Sequence, residues 1–331
     1  MSPFHYKVIV IGGGHAGVEA AWAAANLCPN ETSAVALVTM DPAKIGVMSC
    51  NPAIGGLAKG QLVREIDALG GVMGLATDAT GIQFRVLNTS KGPAVHGPRA
   101  QCDKHAYAET VQAMIASRPE IAVLGGSVDE LIVEQGRIKG VLVRSTDGQV
   151  QRLSATAVVL TTGTFMRALM HSGETKIEGG RWGEPSAVGI SGALARLGFE
   201  LGRLKTGTPP RLRRGSIAWD SLAPQWGDAL PSAFSDLTTR NAGEDGDSLE
   251  SSASVPSLQR FPVLAQVECR QTQTTPEIHA IIRENLHRAP MYSGQIESTG
   301  PRYCPSIEDK VVRFAERETH GVFLEPESLR D

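Results

Sequence analysis

The stretch KVIVIGGGHAGVEAAWAAA, residues 7–25, constrains this chain more than any other. Residues 7–11 read as a short buried strand, β-branched and bounded by glycine. Gly12, Gly14 and Gly17 satisfy G-x-G-x-x-G, and the alanine-rich run 15–27 predicts a helix. Residues 34–39 predict a second apolar strand. The glycines therefore stand between strand and helix of a βαβ unit, where a dinucleotide-binding turn needs them. Gly12 permits the tight turn, Gly14 lets a pyrophosphate approach the backbone, and Gly17 lets helix and strand pack closely. Gly13, His15 and Ala16 complete the loop, and the helix N-terminus faces the phosphates with free N–H groups. A ribose-binding acid belongs at the end of the second strand. Asp41 is the only acid there, and it reads equally as an exposed turn residue before Pro42.

Residues 121–160 decide between nucleotides. They read as consecutive strands, with turns at Gly136 and at Asp147-Gly148, an Asp-Gly hairpin signal. An NAD dehydrogenase would instead continue with alternating helices and strands. A β-meander followed by an apolar strand that ends in glycine is the layout of two-dinucleotide flavoproteins. ATAVVLTTGTF, residues 155–165, resembles their second flavin-side signature, with Gly163 closing it. The pair of signatures favours FAD.

With 331 residues the chain is long enough for two domains, and its net charge of −3 does not advertise a nucleic-acid binder. The five cysteines are dispersed and never paired as C-x-x-C, which argues against a disulfide framework and a structural zinc site. No metal is expected. No apolar run reaches the length of a membrane span, so no membrane association is expected. A cytoplasmic location is expected, or a mitochondrial one if the N-terminus is incomplete.

Cys50 and Cys304 are the thiols of interest. Residues 57–69 have helical spacing, with Leu57, Leu62, Ile66 and Leu69 on one face. Cys50 is expected in the loop just ahead of that helix, where N–H groups favour a thiolate; it reads equally as a buried, inert thiol. Cys304 precedes a helix begun by Pro305-Ser306, with Ile307, Val311 and Phe314 on one side. Residues 81–105, which include Lys91 and Arg99, read as a polar loop that is either a substrate-side wall or solvated surface. RLKTGTPPRLRR, residues 203–214, carries Arg203, Lys205, Arg211, Arg213 and Arg214 with no acid, on a segment that prolines keep extended. It suits phosphates of RNA or of a cofactor, or is a solvated connector. Residues 241–258 are acidic and serine-rich and predict a flexible insertion. Residues 275–289 predict a helix capped by Thr275.

The motifs IGGGHAG, MSCNPAIGG, GRLKTGTPPR, GPRYCPSIEDK and FLEPE, spread from Val8 to Glu327, resemble the N-terminal half of the MnmG/GidA family. These are FAD-dependent tRNA wobble-uridine modification enzymes. The resemblance implies an α/β, Rossmann-like FAD-binding domain of the two-dinucleotide type with an inserted α/β domain. It places the FAD domain at 1–203 with a β-meander at about 121–153, and the inserted domain at 204–299. Residues 300–331 begin the return, and the C-terminal half, which docks the GTPase and tRNA, is absent. It further implies that Gly12 to Gly17 and Val128 contact FAD. Gly300, Arg302 and Tyr303 open a segment, 300–314, that binds NAD(H), and Cys50 and Cys304 match two cysteines implicated in activity. Methylene-tetrahydrofolate would donate the one-carbon unit, and partners would be an MnmE-type GTPase and tRNA, in a homodimer and heterotetramer. Lys91, Arg99, Lys205 and Arg211 are the expected tRNA or substrate-side residues. Three other readings compete. One is a folate- and FAD-dependent tRNA uridine methyltransferase. Another is a non-catalytic, nucleotide-binding remnant. The last is an FAD oxidoreductase acting on a small metabolite.

Overall fold

A computed structural model describes residues 5–241, 260–296 and 305–330. The chain opens with β1 (His5–Ile11), α1 (His15–Asn26) and β2 (Val35–Thr39). An excursion follows: β3 (Ala53–Gly55), α2 (Lys59–Ala68), α3 (Met73–Thr80), β4 (Gly81–Leu87), β5 (Gly97–Cys102) and α4 (Lys104–Ala116). The chain then returns as β6 (Ile121–Gly125), β7 (Ser127–Glu134), β8 (Arg137–Arg144) and β9 (Val150–Leu160). These strands form one sheet in the order β6-β2-β1-β9-β8-β7. β6, β2, β1 and β9 run parallel, and β9-β8-β7 are antiparallel. The excursion forms its own antiparallel sheet, β3-β5-β4. The fold is therefore α/β and Rossmann-like, as expected.

Why β1 and β2 read as continuous apolar runs is plain from their burial, since both faces are covered. Val10, Val35, Leu37 and Ile121 pack against Val18, Ala21, Trp22 and Ala25 of α1 and Val111, Met114 and Ile115 of α4. Ile9, Ile11, Ala36 and Val38 face the other way, onto Val128, Val141, Val143 and Leu153. The β7–β8 hairpin turns at Gln135 and Gly136, both at positive φ, the geometry a two-residue turn between twisted strands requires.

Residues 121–125, expected in the meander, pair in parallel with β2 from Val35↔Ile121 to Thr39↔Gly125. The antiparallel part thus begins at Ser127, and β9 serves two ladders. It pairs with β8 through Ser154 and with β1 from Ser154 to Leu160.

The leucine face expected on α2 is not its buried face. Leu57, Leu62 and Leu69 are exposed, whereas Gly60 and Val63 point inward. The reason is close approach: a Cβ at position 60 would lie 2.4 Å from the Pro98 carbonyl oxygen, so the helix seats on its glycine. On the last helix Val311 is fully buried, while Phe314, just past its end, is about half exposed.

The remaining elements are β10 (Leu169–Ser172) and β11 (Thr175–Glu178), a hairpin, then α5 (Gly189–Arg196), β12 (Ala223–Gln225), α6 (Asp236–Asn241), β13 (Cys269–Gln273), α7 (Pro276–Glu284), α8 (Ile307–Arg313) and β14 (Gly321–Leu324). Strands β12, β13 and β14 form one sheet, so segments 204–299 and 300–331 share a ladder. Both also pack on the excursion. Gln83 Nε2 donates to the Gln225 and Val267 carbonyls, and buried Asp78 accepts from Phe234 N, Ser235 N and Thr238 Oγ1. The acidic stretch 241–258 lies, but for Asn241, outside the described residues. Among the described residues, no helix is long and apolar enough to cross a membrane.

Candidate functional site

The turn between β1 and α1 shows three glycines held for three reasons. Gly12 has φ +114°, and a Cβ there would sit 2.3 Å from the Thr161 carbonyl oxygen. A Cβ at Gly17 would sit 1.7 Å from the Gly12 carbonyl oxygen, so helix and strand touch through bare backbone. At Gly14 nothing lies within 4 Å of the Cβ position. That side leaves room for a ligand to reach the main chain. Gly14 caps α1 without a side-chain hydrogen bond, and the first turn holds no acid, so its N–H groups are set for an anion. Gly13 packs against Thr39 and Ile45, and Ala16 is exposed. His15 is half-buried, 5.6 Å from the Tyr107 ring centroid, and burial lowers its pKa, which keeps the imidazole neutral.

Thr161, just past β9, locks this turn: its N and Oγ1 donate to the Ile11 carbonyl at 2.9 and 2.7 Å. It lies inside the TTG signature, but its reach back to Ile11 depends on β1–β9 pairing. Gly163, two residues on, has φ +54° and no neighbour in reach of a Cβ. Asp41 is exposed and begins a turn, its Oδ1 accepting from Ala43 N at 2.9 Å. Val128 is buried, its side chain in the apolar cluster behind the sheet, so a ligand contact there falls to its main chain. A helix N-terminus, an unfilled space at Gly14 and an acid past β2 together fit a dinucleotide.

Cys50 is exposed, and β3 separates it from α2, so it is not at that helix N-terminus. Its Sγ donates to the Gly207 carbonyl at 3.2 Å. The loop around it is gripped from two sides. Arg181, paired with Glu184, donates to Ser49 Oγ at 3.1 Å and Val47 O at 3.4 Å. Arg211 Nη2 donates to Cys50 O at 2.8 Å and Ser49 O at 3.3 Å, while its Nε donates to Glu327 at 2.9 Å. Asn51 Nδ2 donates to Glu325 at 2.6 Å, and Gln101 Nε2 donates to Asn51 Oδ1 at 3.0 Å and Pro326 O at 2.7 Å.

The structure thus brings Cys50, Arg99 and Arg211 together through the 325–327 segment. Arg99 pairs with Glu325 at 2.6 Å, both side chains more than four-fifths buried. Lys104 pairs with Glu327 at 3.1 Å. Of the four cations expected on the substrate side, Arg99 and Arg211 are committed to internal pairs. Lys205 lies beside Asp309 at 3.8 Å, its ammonium buried with no hydrogen-bond partner among the described residues. Lys91 is exposed, as are Arg213 and Arg214, and none of the three makes an ion pair among the described residues. Sequence reasoning missed Arg181, Glu325 and Glu327 as loop holders; the FLEPE motif was the available signal.

Asp309 caps α8 through Ser306 in a capping box and accepts from Tyr292 OH at 2.9 Å. Burial pushes its pKa up, but bonds from Ser306 and Tyr292 and the Lys205 charge hold it below the ordinary value. Tyr292 is pushed up to about 12 by burial and then by Asp309. A pocket of about 390 Å³ opens beside them, lined in part by Lys310, Arg313, Phe314, Arg317 and His320. Burial first, then His279, Lys310 and Arg317, lower the His320 pKa. Cys304, Gly300, Arg302 and Tyr303 lie outside the described residues. Among the described residues, no group of three His, Cys, Asp or Glu side chains is placed to hold a metal ion.

A family model described as glucose inhibited division protein A matches residues 7–331. The chain is 52% identical over 322 residues to the tRNA uridine 5-carboxymethylaminomethyl modification enzyme MnmG of Myxococcus xanthus, covering 97% of this chain and 49% of that protein. It is 49% identical to the enzyme of the same name from Granulibacter bethesdensis, covering 100% and 48%. Among solved structures, Aquifex aeolicus GidA in its form I crystal superposes with a TM-score of 0.82 at 44% identity, over 99% of this chain and 51% of that one. The chain spans about half the length of the curated relatives it matches. It belongs to the glucose inhibited division protein A (GidA) family.

Proposed function

We propose that this chain forms the FAD-binding, Cys50-bearing part of an enzyme that modifies C5 of wobble uridine in tRNA. The reading takes an aminomethyl-type group, carboxymethylaminomethyl in the relatives' name, as the product. In it, methylene-tetrahydrofolate donates the one-carbon unit, NADH is the reductant, and an MnmE-type GTPase is the partner of a homodimer in a heterotetramer. The observation that carries it is the open backbone at Gly14 between the tightly packed Gly12 and Gly17, at a helix N-terminus.

The amides that open α1 would donate to the FAD pyrophosphate. Asp41 keeps one carboxylate oxygen beyond its Ala43 bond to accept from a ribose hydroxyl. When bound, FAD supplies two-electron redox capacity. The pocket lined by Lys310, Arg313, Arg317 and His320 beside the Phe314 ring suits the phosphates of NADH. Cys50 serves the base: its thiolate adds to C6 of uracil and sends the C5–C6 electron pair to C5. C5 then attacks the one-carbon electrophile, and loss of the C5 proton and of the thiolate restores the ring. The amine of glycine or ammonium replaces the folate on the new carbon to give the aminomethyl-type group. Lys91, which is exposed, would contact RNA phosphates.

The test is the wobble nucleoside itself. In cells whose only copy of the full-length protein carries Cys50→Ser, mass spectrometry of digested tRNA should find unmodified uridine, while the purified variant keeps its flavin. Normal modification in the Cys50→Ser strain would contradict the role given to Cys50.

A further inference from the structure

The segment 205–211 lies across the Cys50 loop without any regular structure of its own. Two of its groups meet that loop. The Gly207 carbonyl accepts the Cys50 thiol hydrogen, and Arg211 bridges the Ser49 and Cys50 carbonyls to the Glu327 carboxylate. A guanidinium is suited to this, because its planar fork donates in several directions at once. Glu327 is in turn fixed by Lys104, and Arg181 with Glu184 holds the same loop from its other side.

We propose that Arg211 is a positioning residue for Cys50. It docks the 205–211 segment so that the Gly207 carbonyl holds the thiol protonated and aimed until substrate replaces that acceptor. The proposal rests on the reading of Cys50 as the nucleophile. A carbonyl acceptor stabilises S–H over S⁻, because the thiolate has no hydrogen to give and meets the oxygen lone pairs. Glu327 anchors the Nε side of the Arg211 guanidinium, so removing its charge loosens the same contact. Fixing the loop main chain also removes the conformational search that an exposed thiol would otherwise make. The other described cysteines, Cys28, Cys102 and Cys269, are buried and compete little for a soluble alkylating agent.

The experiment follows iodoacetamide alkylation of Cys50 in the full chain from pH 6 to 10, resolved by peptide mass spectrometry. It compares wild type with Arg211→Lys, which keeps a cation but loses the fork, and with Glu327→Gln. Both variants should alkylate about threefold faster at pH 7.5, with the midpoint moved to lower pH. Hydrogen exchange over 206–212 should also quicken in Arg211→Lys. Profiles that superimpose on wild type in folded variants, or a midpoint moved upward, would overturn the proposal. Glu327→Gln keeps the test open if Arg211→Lys does not fold. Neither flavin nor tRNA enters the measurement, so its outcome is separate from that of the flavoenzyme reading.

Discussion

Gly14 and Gly17 are three residues apart and have opposite requirements. At Gly17 an added methyl meets the Gly12 carbonyl oxygen, and neither backbone can yield without moving α1 against β1. Gly17→Ala should therefore destabilise the chain by at least about 2 kcal/mol in urea melts. Gly14→Ala should cost less than about 1 kcal/mol in the same melts, since its φ of −76° suits alanine and the space beyond is open. These roles were legible because G-x-G-x-x-G encodes a local backbone demand. The state of Arg99 and Arg211 was not legible: Glu325 and Glu327, which pair with them, are more than a hundred residues away in the chain. Asp41 stood between two readings, and its Ala43 bond makes it a turn former.

Elements whose sequence pattern is local came out as read. The first strand and helix and the paired strands with their Gly136 and Asp147-Gly148 turns are examples, as is the Thr275 cap of α7, though that helix ends at Glu284 and a 3-10 turn, Leu286–Arg288, follows it. Helix α2 was misread, because leucine spacing marks an apolar face but Pro98, from another strand, decides which face is covered. Asp78 on α3 shows a similar dependence on tertiary context. Burial raises its pKa to about 6, against the bonds from Phe234, Ser235 and Thr238. The folded state therefore binds a proton that the unfolded chain releases near pH 4. The resulting stabilisation is complete below that pH and is lost as pH rises through about 6. Wild type should accordingly gain roughly 2 kcal/mol relative to Asp78→Asn as pH falls from 7.5 to 4.5, read from paired denaturation curves. A difference that stays flat with pH would show that Asp78 is already protonated or is more solvated than its burial implies.

The whole molecule is tied together by remote segments meeting over the excursion between β2 and β6. β14 completes the β12-β13-β14 sheet, and the residues just after it reach Arg99, Gln101 and Lys104. The Arg99–Glu325 pair is largely buried, so removing one partner leaves an uncompensated charge. Glu325→Gln should cost roughly 3 kcal/mol, and a double-mutant cycle with Arg99→Met should recover part of it. Apart from the FLEPE motif, this assembly has no local signature, since it depends on pairings across more than two hundred residues.

Whether the Gly12–Gly17 turn holds FAD is read from the visible absorption spectrum of the purified chain after incubation with FAD and dialysis. Wild type should retain a flavin spectrum, and Gly14→Val should lose it while melting at nearly the same temperature. A folded wild-type chain that emerges colourless, or a Gly14→Val chain that keeps its flavin, would contradict the account.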